Sequence, residues 1–313
     1  MENKKKKLYI KSLRQEFADT LLEVGKKDKR LTVMVGDISH GLLEKFNQIC
    51  KKQYINLGIL EPTMVSMGAG FSRIGLIPVL HTISPFLIER SFEQIKLDFC
   101  YQKLSGNIIT VGGAFDYSNL GCSHHCYGDF ALLKTLPSVD IYNPSSALEF
   151  NEIFKKTYNN NRVNYFRLSG NSHSLLFNRN QIIPGKPIKI NNGKHITIVA
   201  VGSQLTNALI IVDKFLKLKI NSDLFYIHSI KPFFSKDIID SAKKTKKVFV
   251  IEEHMENGGF GDDVLKKIYS VDKLIFKNFA INKFIHSYGT YEELCNEIGL
   301  NPDKIFNQIK KII

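Results

Sequence analysis

Short runs of strand-forming apolar residues alternate with helix-length amphipathic stretches along the chain. The strand candidates are LTVMVG (31–36), YINLGI (54–59), IPVLHTI (77–83), NIITVGG (107–113), VDIYN (139–143) and NYFRL (164–168). After a break come ITIVAVG (196–202), DLFYIHS (223–229), KVFVIEE (247–253) and IFKNFAI (275–281). Helices fit between them: Leu13, Phe17 and Leu21 share a face in 12–27, as do Leu205, Leu209 and Val212 in 203–217. Strands that are apolar throughout and separated by helices predict parallel sheets covered on both faces. The segment 171–195 is polar, holds Pro184, Gly185, Pro187 and Gly193, and has no sustained periodicity, which marks a boundary. The expected fold class is α/β: two doubly wound domains with mainly parallel sheets, over 1–185 and 186–313.

Composition agrees with that picture. The 313 residues suit two domains. With 43% hydrophobic and 23% charged residues, a mainly disordered chain, a coiled coil and a disulfide scaffold are excluded. No stretch approaches the ~18 uninterrupted apolar residues of a membrane span. The start, MENKKKKLYIKSLRQ, is basic but has no apolar signal core behind it. Five scattered cysteines (Cys50, Cys100, Cys122, Cys126, Cys295) point to a reduced, cytoplasmic setting. The formal charge of +13 raises nucleic acid as a partner. Only seven basic residues are arginine, however, and the lysines are dispersed apart from Lys4–Lys7, which fits a solvated surface better than a nucleic-acid face.

Local chemistry concentrates in INLGILEPTMVSMGAGFSRIGLIPVL (55–80). A β-run ends at Ile59, Glu61 follows, and Pro62 suits the first turn of a helix. Gly68 and Gly70 fall inside that helix, where glycine is unfavourable unless something approaches closely. A carboxylate at the carboxyl end of a parallel strand lies where α/β sheets bind ligands; the alternative is a glutamate that stabilises a helix N-terminus. Cys122, His124, His125 and Cys126 are all metal-ligand types, but side chains so closely spaced diverge too much to wrap one tetrahedral ion. GGFG (258–261) is read as a tight turn before a helix at 262–270, since the full dinucleotide pattern is missing.

The order of segments resembles the C-terminal half of the transketolase family, with 1-deoxyxylulose-5-phosphate synthases as near relatives. The resemblance is carried by INLGILEPTMVSMGAGFSRIG, HTISPFLIERSFEQI (81–95), GCSHHCYGDFALLKTLPSV (121–139), SIKPFFSKDIID, VFVIEEHMENGGFGDDV and HSYGTYEELCNEIGLNPDKI, and it covers nearly the whole chain. It implies a thiamine-diphosphate pyrimidine-binding domain followed by a transketolase C-terminal domain. The implied activity is transfer of a two-carbon ketol or acyl unit to a sugar-type carbonyl acceptor. Thiamine diphosphate serves as the electron sink, through a carbanion at C2 of its thiazolium. A carboxyl group on its N1′ drives the tautomer shift that removes the C2 proton, and Glu61 matches that group. Phe86 matches the aromatic that stacks on the aminopyrimidine, and Ile59 is assigned to the cofactor with them. His124 matches the histidine that donates to the developing alkoxide. Arg14, in SLRQEF, and Arg90 match arginines assigned to the substrate channel.

Family members hold Mg²⁺ and the diphosphate through Gly-Asp-Gly and a later Asn-Asn. Here the nearest equivalent is GDF (128–130) with Asn159 and Asn160; Phe130 replaces the glycine, and Asp129 falls in a predicted helix. The resemblance therefore implies that an N-terminal partner subunit carries the diphosphate-binding domain and Mg²⁺, and that this chain holds no metal of its own. The cofactor would be shared between the two chains, and homodimerisation would give an α₂β₂-like assembly. Four positions depart from the family. Its phosphate-binding histidine falls on Gly112, an arginine on Gly170, and a hydroxyl-reading aspartate on Leu120, while Pro62 replaces Gln or Asn. Losing two charge-assisted phosphate contacts, each worth about 1.5–3 kcal/mol, argues against a simple sugar phosphate as acceptor. Two other readings remain open: a 2-oxo acid dehydrogenase β-subunit, which dependence on a lipoyl carrier would reveal, and a non-catalytic interaction subunit of the same fold.

Overall fold

A computed structural model describes residues 11–313; the Lys4–Lys7 cluster lies outside them. In chain order the strands are β1 (Leu31–Val35), β2 (Tyr54–Asn56), β3 (Ile77–Ile83), β4 (Gly106–Val111), β5 (Val139–Tyr142), β6 (Val163–Leu168), β7 (Ile188–Asn191), β8 (Ile196–Val201), β9 (Ser222–Ile227), β10 (Ser229–Lys231), β11 (Lys247–Met255) and β12 (Ile275–Ile281). They form a sheet of order β10-β5-β6-β4-β3-β1-β2 and another of order β12-β11-β8-β9-β7. Every pairing is parallel except β10 with β5 and β7 with β9. The expected α/β class and largely parallel sheets are what the chain adopts.

The antiparallel strands are where expectation and structure differ. β7 lies inside the aperiodic segment 171–195, and β10 follows directly on β9. Both are short and lie at sheet edges, so they need few apolar residues and leave little periodicity. The predicted strand 54–59 pairs only over β2; Gly58 turns at φ 71°, and Ile59 is left 68% exposed. The helix Leu13–Lys27 is capped by Ser12, whose Oγ accepts from the Gln15 N–H at 3.2 Å. It buries Leu13, Phe17 and Leu21 as its spacing predicts. In the helix Leu205–Lys217 the fully buried stripe is Leu205, Ala208, Ile211 and Phe215, with Leu209 and Val212 at its margin. The helix after GGFG begins at Phe260, earlier than expected.

Two buried polar networks lock the second sheet against the first. Glu149, on the helix Ala147–Thr157, accepts from Ser145 N (2.9 Å), His173 Nε2 (2.7 Å) and Tyr226 Oη (2.6 Å). Burial opposes its charge, but the hydrogen bond and charge of His173 hold its carboxyl below the ordinary range. Arg167, next to the carboxyl end of β6, donates to the Glu253 carbonyl on β11 (2.8 Å) and meets Asp129 Oδ1 at 3.4 Å. Asp129 also takes the Tyr165 hydroxyl at 2.7 Å. A buried charge requires such partners, so these contacts fix the relation between β6, the helix that Asp129 begins and β11.

Candidate functional site

The segments after β2, β3 and β4 carry Ile59, Glu61, Phe86, Arg90 and His124, at the carboxyl end of a parallel sheet, while Arg14 lies in the first turn of the helix before β1. Glu61 opens the helix Glu61–Arg73, with Pro62 in its first turn. That helix packs close to β3 at Gly68, where a Cβ would come within 2.7 Å of Leu80 Cδ2. Gly70 meets nothing within 4 Å, so only the first of the two glycines answers to close approach. Glu61 is buried, while Ile59 and Leu60 beside it are 68% and 52% exposed. A buried carboxylate therefore sits at the rim of an apolar, open surface.

After β3 the chain forms a π-helical turn, Pro85–Glu89, closed by the Arg90 N–H to the Pro85 carbonyl at 3.1 Å. Such wide turns recur at functional sites. Here it presents Phe86 and Arg90 together: the Arg90 Cζ lies 4.5 Å from the Phe86 ring centroid, and Nη1 donates to Glu61 Oε2 at 3.0 Å. The Phe86 ring in turn meets the His124 imidazole edge-on, with centroids 5.2 Å apart and planes at 76°. Glu61, Arg90, Phe86 and His124 are thus one contiguous group. Arg90, expected with Arg14 in the substrate channel, touches Glu61 and Phe86, two of the three residues expected at the cofactor.

His124 sits on the loop after β4, which is pinned by reciprocal backbone bonds between Ala114 and Cys126 (3.0 and 2.7 Å). Its Nδ1 pairs with Ser123 Oγ at 3.1 Å. Of the neighbouring metal-ligand types, Cys122 is exposed while His125 and Cys126 are buried. Burial, with Asp129 and Glu89 nearby, pushes the Cys126 thiol well up, as befits a packed and unreactive cysteine.

Arg14 donates through Nη2 to Ser39 Oγ (3.0 Å), and Ser39 Oγ lies 3.0 Å from His81 Nε2. His81 Nδ1 faces the Ile109 carbonyl at 2.8 Å. A carbonyl only accepts, so the proton is on Nδ1, and Nε2 takes the serine hydroxyl. Burial lowers the His81 pKa to about 4; the imidazole is neutral and orients Ser39 beneath Arg14.

The two other motifs are occupied by the chain's own groups. Asp129 begins the helix Asp129–Lys134 and is consumed by Tyr165 and Arg167. Asn160 turns at the amino end of β6, bonded to Asn164 at 3.1 Å. At GGFG, the buried Glu252 carboxylate accepts the Phe260 and Gly261 N–H groups (2.7 and 2.9 Å), which fills the cradle a phosphate would need.

Sequence reasoning passed over Tyr117 and Asp116. The Tyr117 ring lies on Gly112, where a Cβ would be 2.3 Å from Cε2. Asp116 accepts from the Gly170 N–H (2.8 Å) and Ser169 Oγ (3.1 Å). Desolvation first, and the nearby Glu253 charge second, push its carboxyl up to about 7. The signal that could have found Tyr117 was Gly112, whose missing side chain leaves room for the ring; at Gly170 a Cβ would meet nothing nearer than Asp116 Oδ1 at 3.7 Å, so that glycine marks no close approach. Leu120 stands 45% exposed on the same loop. Arg167 was legible as a charge inside an apolar strand.

A buried carboxylate beside an aromatic face fits a planar, hydrogen-bonding heterocycle such as an aminopyrimidine. The family description "Transketolase, pyrimidine binding domain" matches residues 11–172, and "Transketolase, C-terminal domain" matches residues 185–305. The chain is 27% identical over 295 residues to one subunit of an apulose-4-phosphate transketolase from Phocaeicola vulgatus, covering 93% of this chain and 94% of the relative. It is 23% identical to a 6-deoxy-6-sulfo-D-fructose transketolase subunit of a Clostridium species, covering 94% and 92%. Among solved structures, a split-gene transketolase described as an inactive β4 tetramer superposes with a TM-score of 0.87 at 25% identity, covering 96% and 97%.

Proposed function

This chain belongs to the transketolase family, and on that premise we propose that it is the C-terminal subunit of a split, thiamine-diphosphate-dependent transferase. A partner subunit with the diphosphate-binding domain supplies the other half of the site and holds Mg²⁺, in an α₂β₂-like assembly. The observation that carries this is the contiguous group of Glu61, Arg90, Phe86 and His124 at the edge of an exposed apolar surface. When bound, thiamine diphosphate supplies the electron sink for a two-carbon unit. Two relatives matched over nearly their full length carry the word subunit in their names, which favours a divided enzyme. No helix of the described residues is long and apolar enough to cross a membrane; the scattered cysteines are what support a cytoplasmic setting.

Each residue has a definite task in this proposal. Arg90 holds Oε2 of Glu61, so Oε1 is left to face the heterocycle's ring nitrogen, where the carboxyl group would exchange a proton with it. Phe86 supplies its stacking face, and Ile59 closes the apolar rim. His124, steadied by Ser123 at Nδ1, offers Nε2 to the oxygen on which negative charge develops. Arg14 and Ser39 stand at the entrance. The acceptor is a sugar-type aldehyde without a terminal phosphate, because Tyr117 fills the space over Gly112 and a carboxyl faces Gly170.

The test is co-purification with the candidate N-terminal subunit, followed by cofactor titration of chain and complex. Binding only in the complex, and its loss together with turnover in Glu61→Gln, is the expected result. A chain that recruits no partner and binds no cofactor would establish the non-catalytic reading. Faster turnover with phosphorylated or sulfonated sugars, of the kinds in the names of the two relatives, would refute the acceptor assignment.

A further inference from the structure

Tyr117 stands at the reactive histidine and has no structural task that its hydroxyl fulfils. Its ring meets His124 edge-on, at 6.2 Å between centroids and 86° between planes. The ring is wedged onto the backbone at the end of β4, because Gly112 has φ 73° and leaves the side of its chain open. The hydroxyl, half-buried, bonds to no other described residue. The charges nearest to it are Arg14 and Asp116, which act on it in opposite senses. Burial raises its pKa, so at neutral pH it is a protonated donor.

The loop that carries it is stiff. Besides the Ala114–Cys126 bridge, Asp116 N bonds to Gly113 O (3.0 Å), Leu120 N to Tyr117 O (2.9 Å) and His124 N to Gly121 O (3.0 Å). Tyr117 and His124 are therefore held at a fixed separation, the condition for a polar group to discriminate between ligands. A neutral phenol hydrogen-bonds a hydroxyl or carbonyl oxygen well. It supplies none of the charge that a phosphate or sulfonate end needs, and Asp116 next to it opposes such an end.

We propose that Tyr117 selects the acceptor: its ring fills the space over Gly112, and its hydroxyl binds an uncharged hydroxylated aldehyde beside His124. This rests on the transferase reading above and deepens it.

The test uses the complex of this chain with its partner subunit, in native form and as Tyr117→Phe and Tyr117→Val. A ketol donor, hydroxypyruvate, is combined with unphosphorylated aldoses of increasing length and with their terminal phosphates. Loss of one neutral hydrogen bond predicts that Tyr117→Phe raises the KM for the preferred aldose about three- to tenfold, while the KM for hydroxypyruvate is unmoved. Tyr117→Val shifts the preferred aldose to a greater length. An unmoved acceptor KM and an unmoved length profile overturn the proposal, as does a parallel rise in donor and acceptor KM. Calorimetric titration of the native complex with thiamine diphosphate separates the two levels. Normal uptake with an unaltered acceptor profile removes only the role of Tyr117, whereas no uptake removes the transferase reading and this proposal with it.

Discussion

Replacing Arg90 with alanine strips the buried Glu61 carboxylate of its cation and the Phe86 ring of its guanidinium. The pair is asymmetric: the Glu61 side chain is 2% exposed, the Arg90 side chain 48%. Breaking a fully buried pair costs about 3–5 kcal/mol, while a surface pair is worth at most about 1 kcal/mol. Water reaching one side of Arg90 places this pair between those limits, at about 1–2 kcal/mol. The contact with Phe86 adds about 0.5–1 kcal/mol, so Arg90→Ala is expected to destabilise the chain by about 2 kcal/mol. A double-mutant cycle with Glu61→Gln, read from urea unfolding, isolates the shared part. Coupling of about 1 kcal/mol is expected, since the neutral amide no longer needs the charge. Additivity within about 0.3 kcal/mol would refute the argument that Arg90 holds Glu61, and with it the assignment of one carboxylate oxygen to each task.

Three other perturbations follow from buried groups. Burial holds His81, His228 and His254 each near a pKa of about 4 against an ordinary 6.5. The unfolded chain thus takes up protons below pH 6.5 that the native chain refuses, and stability falls as pH drops from 6.5 towards 4. The loss is about 2 kcal/mol per histidine at pH 5, and urea midpoints that match at pH 7.5 and 5 would exclude it. Asp116 has the opposite sign: its raised pKa makes the native state lose stability as pH climbs from 3.8 to about 7. Asp116→Asn should therefore gain on the native chain over that interval, and a difference in stability independent of pH counts against it. Gly112→Ala places a Cβ at φ 73° against Tyr117 and should cost about 2 kcal/mol; a change in melting temperature of less than about a degree would contradict the packing described.

The α/β architecture was legible because each central strand is buried on both faces and so reads as a mainly apolar run, interrupted only where a buried polar group such as Arg167 has partners. Glu61 was legible too, as a carboxylate between a strand and a proline-started helix, and its order relative to Phe86 and His124 carried the family resemblance. The edge strands β7 and β10 left no such trace. They are short, and their place depends on partners from β9 and from β5.

What pattern and spacing determine are the elements, the class of sheet and which residues follow which strand. What only the tertiary structure decides is who touches whom. Arg90 could have faced solvent, substrate or Glu61, and the π-turn at Pro85–Glu89 brought it to Glu61. Gly112 is a missing side chain in the sequence; in the fold it is the seat of the Tyr117 ring, whereas Gly170 serves Asp116 only through its backbone N–H. Periodicity records which face of an element is buried, because burial is a property of each residue's own surface. It does not record the partner, because contacts between distant segments depend on how the loops at the sheet's carboxyl edge are packed and hydrogen-bonded together.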